Sequence, residues 1–521
     1  MKKLTRRTLF QQTGVAAAAL AAGKPSPAAN TTAGALQVGP NIYESIGVTP
    51  LVNARGTFTI ITGSCTLPEV KKAMDEASRH FVQMDELMDA VGRRLAELTK
   101  ADWGLVTAGC CAAITHATAA CIAGANPEKM QKLPYLDGLK DEVVIPKHSR
   151  NVYDRAARML GAKIVEIDSA DDLAQAFNSK SAMVYIMASP RAEQGPVSID
   201  NVIRVAREHN VPVLVDAAAE ELTIPNKYLI RGATMAAYSG GKCIRGPQAA
   251  GLLLGPKDLL QAAWLNSAPH HAFGRSLKVG KEEIMGMLAA VEMWTRRDHD
   301  AEWKQWENWL AYISDKVTAV PGVKTQVMQP EDLSNHTPTL RVNWDGAALG
   351  ITGSEVEDIL LRGKPRIAIA GGRGKRPDMM ASSVTICPYM MAPDDHKIVA
   401  QALYAVLSKP PKITVPPRPE GAAQIAGNWK VHLEFVYGSD DHTFAIDQNG
   451  NTIEGDHKSE LHDGTLRGAI YGDQVEFRSM HRAPGDGVAY DFVGTAQGSG
   501  SMTGTVTMGE YWSAKWHAVR A

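Results

Sequence analysis

Between about residues 41 and 409, short apolar runs alternate with segments of helical pattern, and this alternation restricts the chain to few folds. The runs at 142–145, 163–167, 182–186 and 211–215 are continuously apolar, which is typical of strands buried on both faces of a parallel sheet. A helical pattern at 198–209 separates the last two. We therefore predict an α/β fold with a mostly parallel, seven-stranded type of sheet, helices on both faces, and ligands at the carboxyl ends of the strands.

Changes in composition divide the 521 residues into several expected units. Residues 41–295, with an N-terminal arm, are expected to form the large domain, and residues 296–409 a small α/β domain. A Pro-rich linker at 410–421 marks a boundary. After it, residues 422–521 read as about seven short alternating strands with Gly- and Asn-rich turns, which predicts a small β-barrel or sandwich.

The overall charge argues against a polyanionic partner. Lys and Arg number 55 against 56 Asp and Glu, so the net charge of -1 offers no broad attraction for nucleic acid, and a small-molecule amine substrate is expected. The six cysteines lack metal-type spacing, and the histidines of the last hundred residues share no tight spacing. We expect no metal site, although metal ligation by those histidines remains the alternative.

The N-terminus has the pattern of a twin-arginine export signal over residues 1–34. Basic residues including Arg6 and Arg7 precede a short apolar run at 15–22 and a tail of small residues. An amphipathic helix with two chance arginines is the alternative. The run is too short to span a bilayer, so we expect a periplasmic or secreted protein, exported folded and not membrane-bound after cleavage.

Two residues suggest pyridoxal-5′-phosphate (PLP) chemistry. The strand at 213–215 ends at Asp216, and Lys242 ends a glycine-rich run about two dozen residues later. PLP needs an amine for a Schiff base and a carboxylate against its pyridinium nitrogen. Asp216 suits the second role, the small Ala218 leaves room for a flat ring, and the apolar surroundings of Lys242 favour a neutral, nucleophilic amine. Alone, the run would equally suit a surface lysine in a turn.

A phosphate-binding turn is predicted at 106–114, which reads as a strand, a small-residue turn and a helix start. Backbone N–H groups at Gly109, Cys110 and Cys111 would lie at a helix N-terminus, where anions are favoured. Ser239, three residues before the lysine, adds a possible hydroxyl contact. A packing turn without a ligand is the alternative.

Six ordered runs between residues 42 and 407 carry a family resemblance. They are NARGT at 53–57, RHFVQMDEL at 79–87, GRRLAELT at 92–99, DAAAE at 216–220, SGGKCIRGPQ at 239–248 and VGKEEI at 279–284. With these runs the chain resembles the fold-type-I PLP enzymes of the selenocysteine synthase (L-seryl-tRNA selenium transferase) and D-glucosaminate-6-phosphate ammonia-lyase group.

The resemblance implies Lys242 as the Schiff-base lysine, Asp216 as the pyridinium partner and the turn at 109–111 at the phosphate. It also implies a homodimer or higher homo-oligomer with active sites at the subunit interface. His148 is a candidate to stack on the PLP ring, or a plain helix-start histidine. The candidates for substrate or cofactor contacts are Arg55, Arg245, Arg275, Lys278 and Arg366.

The chain departs from this group at Cys110-Cys111, where Ser or Ala is expected, and in its export signal and extra β domain. Export argues against a tRNA substrate. We expect a lyase that abstracts an α-proton from an amino acid or amino sugar acid and eliminates a β-substituent with release of ammonia. A racemase or epimerase, an aminotransferase, and an inactive PLP-fold protein that binds an envelope partner are the alternatives.

Overall fold

The computed structural model describes residues 34–376, 378–415 and 417–521. Except for Gly34, the expected export segment lies outside these residues. Within the described ranges, no helix combines the length and apolar character needed to cross a bilayer. The described residues begin with an arm that contains α1 (Ile42–Ser45) and β1 (Val52–Asn53).

The large domain is built on a seven-stranded sheet. Its strands are β2 (Trp103–Thr107), β3 (Glu142–Pro146), β4 (Lys163–Ile167), β5 (Ser181–Met187), β6 (Val213–Asp216), β7 (Met235–Ser239) and β8 (Gly251–Gly255). They lie in the order β2-β8-β7-β6-β5-β3-β4. Neighbouring strands are parallel from β7 to β4, while β8 runs antiparallel to both β7 and β2. The predicted mostly parallel sheet is confirmed.

Helices cover both faces of this sheet. They are α2 (Pro68–Ser78), α3 (Met84–Thr99), α4 (Gly109–Ala123), α5 (Pro127–Lys132), α6 (Arg155–Arg158), α7 (Ala170–Gln175), α8 (Ile199–Glu208), α9 (Lys227–Ile230), α10 (Lys257–Leu265) and α11 (Lys281–Trp294). Single 3₁₀ turns lie at Thr59–Ile61, Lys147–Ser149, Val152–Asp154 and Pro190–Glu193. Helix α4 is buried on almost all sides because it consists mainly of small residues and packs directly against the sheet.

The small domain has its own core. Its elements are α12 (His299–Val317), β9 (Lys324–Met328), β10 (Thr339–Trp344), α13 (Gly346–Leu349), α14 (Gly353–Arg362), β11 (Ile367–Ala368), β12 (Ala370–Gly371), β13 (Ser382–Ile386) and α15 (Asp395–Ser408). An antiparallel sheet runs in the order β12-β13-β10-β9. Because β11 pairs in parallel with β1, the N-terminal arm is attached to this domain.

The C-terminal residues form a closed antiparallel barrel. Its strands are β14 (Gly427–Glu434), β15 (Ser439–Asn449), β16 (Thr452–Lys458), β17 (Asp463–Tyr471), β18 (Gln474–Ala483), β19 (Asp486–Gln497), β20 (Ser501–Thr507) and β21 (Ser513–Arg520), with a 3₁₀ turn at Gly509–Tyr511. The predicted β domain is therefore a barrel, with one strand beyond the seven expected. That strand, β16, lacks an apolar run because Ile453, Gly455 and His457 occupy its inward positions.

Candidate active site

The residues predicted to carry the chemistry meet at one edge of the large sheet. Asp216 is the last residue of β6, Lys242 follows β7, and Gly109 begins α4 just after β2. Because β2, β6 and β7 point the same way, their carboxyl ends share this edge. We call it the cofactor edge. The fold thus brings the turn at Gly109 to the segments of Asp216 and Lys242, which lie more than a hundred positions later in the chain.

Asp216 is buried, and its carboxylate is held from several directions. The Tyr185 hydroxyl donates to Oδ2 over 2.7 Å, and the Ala218 N–H donates to Oδ1 over 3.0 Å. The Cys110 thiol lies 3.6 Å from Oδ1 and completes the set. Sequence reasoning missed Tyr185. A tyrosine inside an apolar strand was the available signal, because a buried phenol hydroxyl needs a hydrogen-bond partner.

The two adjacent thiols are under the electrostatic influence of both Asp216 and Lys242. Burial raises the pKa of Cys110 well above its ordinary value, the Asp216 charge adds to the effect, and the Lys242 charge opposes it. Burial and the Asp216 charge also raise the pKa of Cys111, and the Lys242 charge again opposes the rise. Both thiols are therefore neutral at pH 7, and the charges of Lys242 and Asp216 both affect them.

The N-terminus of α4 approaches β8 more closely than side chains would allow. A Cβ atom added to Gly251 would lie 2.4 Å from the Gly109 carbonyl carbon and 2.7 Å from the Cys110 nitrogen. Gly109 itself has φ +81°, a conformation that favours glycine. Ala108, which precedes the helix, has no side-chain group able to cap it. The first-turn N–H groups are thus free of a local cap and suited to an anion.

His148 has a fixed ring orientation beside this edge. The Met187 N–H donates to the Ser149 hydroxyl over 3.0 Å, and that hydroxyl lies 3.1 Å from His148 Nδ1. His148 Nε2 lies 3.2 Å from the Val197 carbonyl oxygen, which can only accept. Nε2 therefore donates to this carbonyl, while the Ser149 hydroxyl pairs with Nδ1. The ring is fixed in its plane by the Val197 carbonyl and the Ser149 hydroxyl.

Ser239 and Ala218 lie opposite each other at the cofactor edge. The Ser239 N–H donates to the Ala218 carbonyl oxygen over 3.3 Å, and both residues are half-buried. Both therefore border the turn that carries Lys242.

Arg55 carries an unused hydrogen-bond donor. Its Nη1 lies 3.4 Å from Glu357 Oε1, and its guanidinium lies over the Phe58 ring at 5.0 Å. Its Nε is buried and has no hydrogen-bond partner in the described part of the chain. A buried donor without a partner is costly, which suggests that an absent group completes it.

The arm that carries Arg55 lies against the loop that follows Asp216. Thr57 Oγ1 donates to Asn335 Oδ1 over 3.3 Å. The Asn335 N–H donates in turn to the Ala219 carbonyl oxygen over 2.9 Å. Hydrogen bonds therefore connect the arm, the small-domain loop that contains Asn335, and the loop that follows Asp216.

Arg245 belongs to the same turn as Lys242. Its N–H donates to the Lys242 carbonyl oxygen over 3.0 Å, and its φ is +55°. Its Nε donates to the Cys65 carbonyl oxygen over 3.1 Å, and burial lowers its pKa. Within one chain, this guanidinium connects the lysine turn to the arm.

The other three predicted cations lie elsewhere. The Arg366 guanidinium donates to the carbonyl oxygens of Leu361 and Thr49, at 3.0 and 2.9 Å, where the small domain meets the arm. Arg275 and Lys278 are exposed on the loop between α10 and α11. Within one chain, Arg55 and Arg245 therefore belong to the arm and the lysine turn near the cofactor edge. Arg275 and Lys278 lie on the surface of the large domain, and Arg366 lies where the small domain meets the arm.

A cavity of about 390 Å³ lies next to the lysine turn, and sequence analysis did not predict it. Trp294, Trp303 and Trp306 contribute to its walls, together with Cys243, the residue after Lys242. The Arg297 guanidinium also lines the cavity and donates to the Cys243 carbonyl oxygen over 3.0 Å. Its size is within the usual range for small-molecule pockets. Its residues come from distant segments, so no local pattern could have revealed it.

No metal centre is formed by the described residues. No group of three or more His, Cys, Asp or Glu side chains in those ranges is arranged to hold a metal ion. All six cysteines lie within the described ranges and are free.

The donor set at the cofactor edge fits PLP. It offers an amine at Lys242, a buried carboxylate at Asp216 for a pyridine nitrogen, and uncapped N–H groups at the start of α4 for a phosphate. A side chain at Gly251 would collide with the backbone of this turn, and the positive φ of Gly109 favours glycine there, so the two glycines keep the turn in this conformation.

Known proteins support this assignment, although no family model matches the chain. The chain is 30% identical over 335 residues to the D-glucosaminate-6-phosphate ammonia lyase of Salmonella typhimurium, covering 62% of this chain and 88% of that protein. It is 28% identical over 378 residues to the 5'-C-glycyluridine monooxygenase-decarboxylase of a Streptomyces species, covering 70% and 92%.

A solved structure agrees with the sequence matches. The structure of D-glucosaminate-6-phosphate ammonia-lyase matches with a TM-score of 0.62 and 26% identity, covering 71% of this chain and 98% of that one. The L-seryl-tRNA(Sec) selenium transferase of Mannheimia succiniciproducens is 25% identical over 207 residues, covering 35% of this chain and 43% of that protein. The chain therefore belongs to the fold-type-I family of PLP-dependent enzymes that includes D-glucosaminate-6-phosphate ammonia lyase.

Proposed function

We propose that the protein is a PLP-dependent lyase that acts on an amino acid or amino sugar acid. It removes the α-proton, eliminates a β-substituent and releases ammonia. The observation that carries this proposal is the meeting of Lys242 and Asp216 at the cofactor edge, where the Cys110 thiol contacts the Asp216 carboxylate. The 30% identity to a protein named as an ammonia lyase favours elimination over the other outcomes.

Each residue has a defined task in this proposal. When bound, PLP supplies an electron sink for the charge left by a departing α-proton. Lys242 would be its attachment point, and with a substrate amine in that place the Lys242 amine would be the base for the α-proton. Asp216 would keep the ring nitrogen protonated, while Tyr185 and the Ala218 N–H fix the carboxylate. The β-substituent leaves with its bonding electrons, and hydrolysis of the remaining enamine gives a keto acid and ammonia.

The first turn of α4 would hold the cofactor phosphate through its N–H groups. Cys110 and Cys111 suit this place, because their raised pKa values keep both thiols neutral beside a phosphate.

Arg55 is our first choice for the substrate carboxylate. Its buried Nε has no partner among the described residues, and its ion pair with Glu357 at 3.4 Å is long. A carboxylate would accept from that Nε.

Absorption and mass spectrometry test the cofactor assignment. The purified protein should absorb near the visible edge, and borohydride reduction should leave the cofactor covalently on Lys242. Lys242→Ala should lose both signals. A wild-type protein that takes up no PLP would contradict the enzyme proposal and favour the inactive, partner-binding alternative.

Product analysis tests the reaction. With candidate amino acids and amino sugar acids, keto acid and ammonia should form in equal amounts. Inversion at the α-carbon without ammonia would identify a racemase or epimerase instead. Transfer of the amino group to an added keto acid would identify an aminotransferase.

We also propose that the protein is exported after folding and works as a homo-oligomer. The arginine pair at 6 and 7 supports the first statement, and the family supports the second. Cell fractionation should find the protein outside the cytoplasm, and replacing both arginines by lysine should retain it inside. Light scattering should give a mass at least twice that of one chain, and a monomer would contradict the assembly.

A further inference from the structure

A turn of the C-terminal barrel contacts the cofactor domain backbone to backbone. Gly485, between β18 and β19, has φ +75°, and a Cβ atom there would lie 2.4 Å from the Asn151 nitrogen and 2.7 Å from the Arg150 carbonyl carbon. Next to it, Asp486 forms an ion pair with Arg155. Only glycine allows this approach, so the turn at 484–486 is shaped for contact with residues 150–155.

The contacted segment leads directly to Asp216. Asn151 Nδ2 donates to the Tyr185 hydroxyl oxygen over 3.1 Å. The Tyr185 hydroxyl donates to Asp216 Oδ2 over 2.7 Å. Because the amide uses the phenol oxygen as an acceptor, the phenol proton is directed at the carboxylate. Gly485 is thus three contacts away from the proposed pyridinium partner.

The inner side of the segment is fixed by buried ion pairs. Asp154 is fully buried and accepts from Arg150 Nε over 2.6 Å and from Arg158 Nε over 2.7 Å. Arg150 also donates to Glu166 over 2.9 Å. The large domain holds one side of the segment, and the barrel turn covers another.

A second barrel turn lies at the same place. Burial raises the pKa of Tyr153, and the charges of Cys111, Asp216 and the barrel residue Glu510 raise it further. Asp486 and the Tyr511 hydroxyl both raise the pKa of Arg155. The turns at 484–486 and 509–511 therefore both lie beside the segment at 150–155.

We propose that the β18–β19 turn of the barrel is a positioning element for the cofactor site. It acts through Asn151 and Tyr185, and so holds the Asp216 carboxylate in the orientation that a pyridine nitrogen requires. This inference rests on the proposed role of Asp216. On this proposal, the C-terminal barrel helps to position the cofactor site of its own chain.

Gly485→Ala tests the proposal in the full-length protein, with Gly498→Ala as its matched control. Gly498 has a similar φ of +61° in another barrel turn, with nothing within 4 Å of an added Cβ. Gly485→Ala should weaken PLP binding about tenfold, the effect of losing one hydrogen bond to a charged group. It should also raise hydrogen exchange at 149–155, and Gly498→Ala should do neither. Fluorescence titration with PLP and exchange mass spectrometry provide the measurements.

A double-mutant cycle shows whether the effect passes through Tyr185. Tyr185→Phe alone should weaken PLP binding by a similar factor and shift the pH at which the visible absorbance of the bound cofactor changes. Adding Gly485→Ala to Tyr185→Phe should then have little further effect, because the same contact is already lost. Fully additive losses would overturn the proposed route.

If Gly485→Ala fails to fold, Asp486→Asn tests the same proposal. It weakens the ion pair with Arg155, and it should weaken PLP binding and raise hydrogen exchange at 149–155 by a smaller factor than Gly485→Ala. Faster exchange at 149–155 with unchanged PLP affinity would overturn the inference. Failure of the wild-type protein to attach PLP at Lys242 would instead overturn the proposed function, so the two failures are distinguishable.

Discussion

Burial determines the protonation of Glu220, four residues after Asp216. Its side chain accepts a hydrogen bond from the Tyr228 hydroxyl in the core. Burial raises its pKa from 4.5 to about 7, although the Tyr228 hydrogen bond opposes the rise. Between pH 4.5 and about 7 the folded state therefore binds more protons here than the unfolded state. Stability must fall as pH rises through this window.

We predict that Glu220→Gln removes this part of the pH dependence. At pH 8 the variant should be more stable than the wild type by at most about 3 kcal/mol, the cost of ionising the buried carboxyl, with little difference at pH 5. Glutamine keeps an acceptor for Tyr228. Urea unfolding at both pH values, followed by hydrogen exchange in β6 and β7, measures the change. Parallel pH profiles of the two proteins would contradict the prediction.

At the scale of elements, the close approach of β8 and α4 shapes the proposed phosphate site. Gly251 lies against the backbone of Gly109 and Cys110, so any side chain there must displace the helix start. The position of the first-turn N–H groups of α4 therefore depends on the packing of β8 against α4 and not on the turn alone.

We predict that Gly251→Ala weakens PLP binding at least tenfold and lowers the melting temperature. The new methyl group would meet backbone atoms at 2.4–2.7 Å, which cannot move aside as a side chain can. Gly500→Ala is the control, because nothing lies within 4 Å of a Cβ at that position. Equal PLP affinity in both variants would show that α4 does not hold the phosphate.

The barrel carries buried histidines at the end of β16 and its neighbours. Burial, together with the charges of His442 and His462, lowers the pKa of His457 to about 2. Below its ordinary pKa of 6.5 the unfolded state takes up a proton that the folded state refuses. The barrel must therefore lose stability as pH falls below about 6.5.

We predict that His457→Phe reduces this acid sensitivity. At pH 5 the wild-type barrel should be less stable than at pH 7 by about 2 kcal/mol from this one group. The phenyl ring would lie beside Phe444 and Phe492, both in ring contact with His457, and would not titrate. Pulse proteolysis in urea, with fragments identified by mass, reports the barrel separately. An unchanged difference between pH 5 and pH 7 would refute the assignment to His457.

At the scale of the whole molecule, the described chain contains three main hydrophobic cores. One fills the large domain, one the small domain and one the barrel. The Pro-rich stretch precedes the third core. Separate cores unfold separately unless their contacts are large.

We predict that PLP raises the thermal stability of the cofactor-binding part more than that of the barrel. At a free concentration about 100 times its dissociation constant, it should add about 2.7 kcal/mol to the unfolding of the cofactor-binding part, with a smaller shift for the barrel. Scanning calorimetry with and without PLP measures both, and Lys242→Ala should show a reduced shift. A single transition that moves as one would show that the cores are coupled throughout.

The sequence by itself determined the fold class, the barrel-like β domain and the cofactor. Strand and helix periods are local, and burial of continuous apolar runs requires a covered parallel sheet. Asp216 was found because it directly follows a predicted strand, and Lys242 because it ends a glycine-rich run about two dozen residues after that carboxylate. One strand, β16, was missed because glycine and histidine replace the apolar residues of its inward face.

Only the tertiary structure decided which side chains surround those two residues. Tyr185, Asn151 and Gly485 lie far from Asp216 in the chain, and no pattern in any of their segments points to the others. A hydrogen bond requires two atoms within about 3 Å, which depends on how complete elements pack. The barrel contact with the cofactor edge is therefore a property of the assembled molecule.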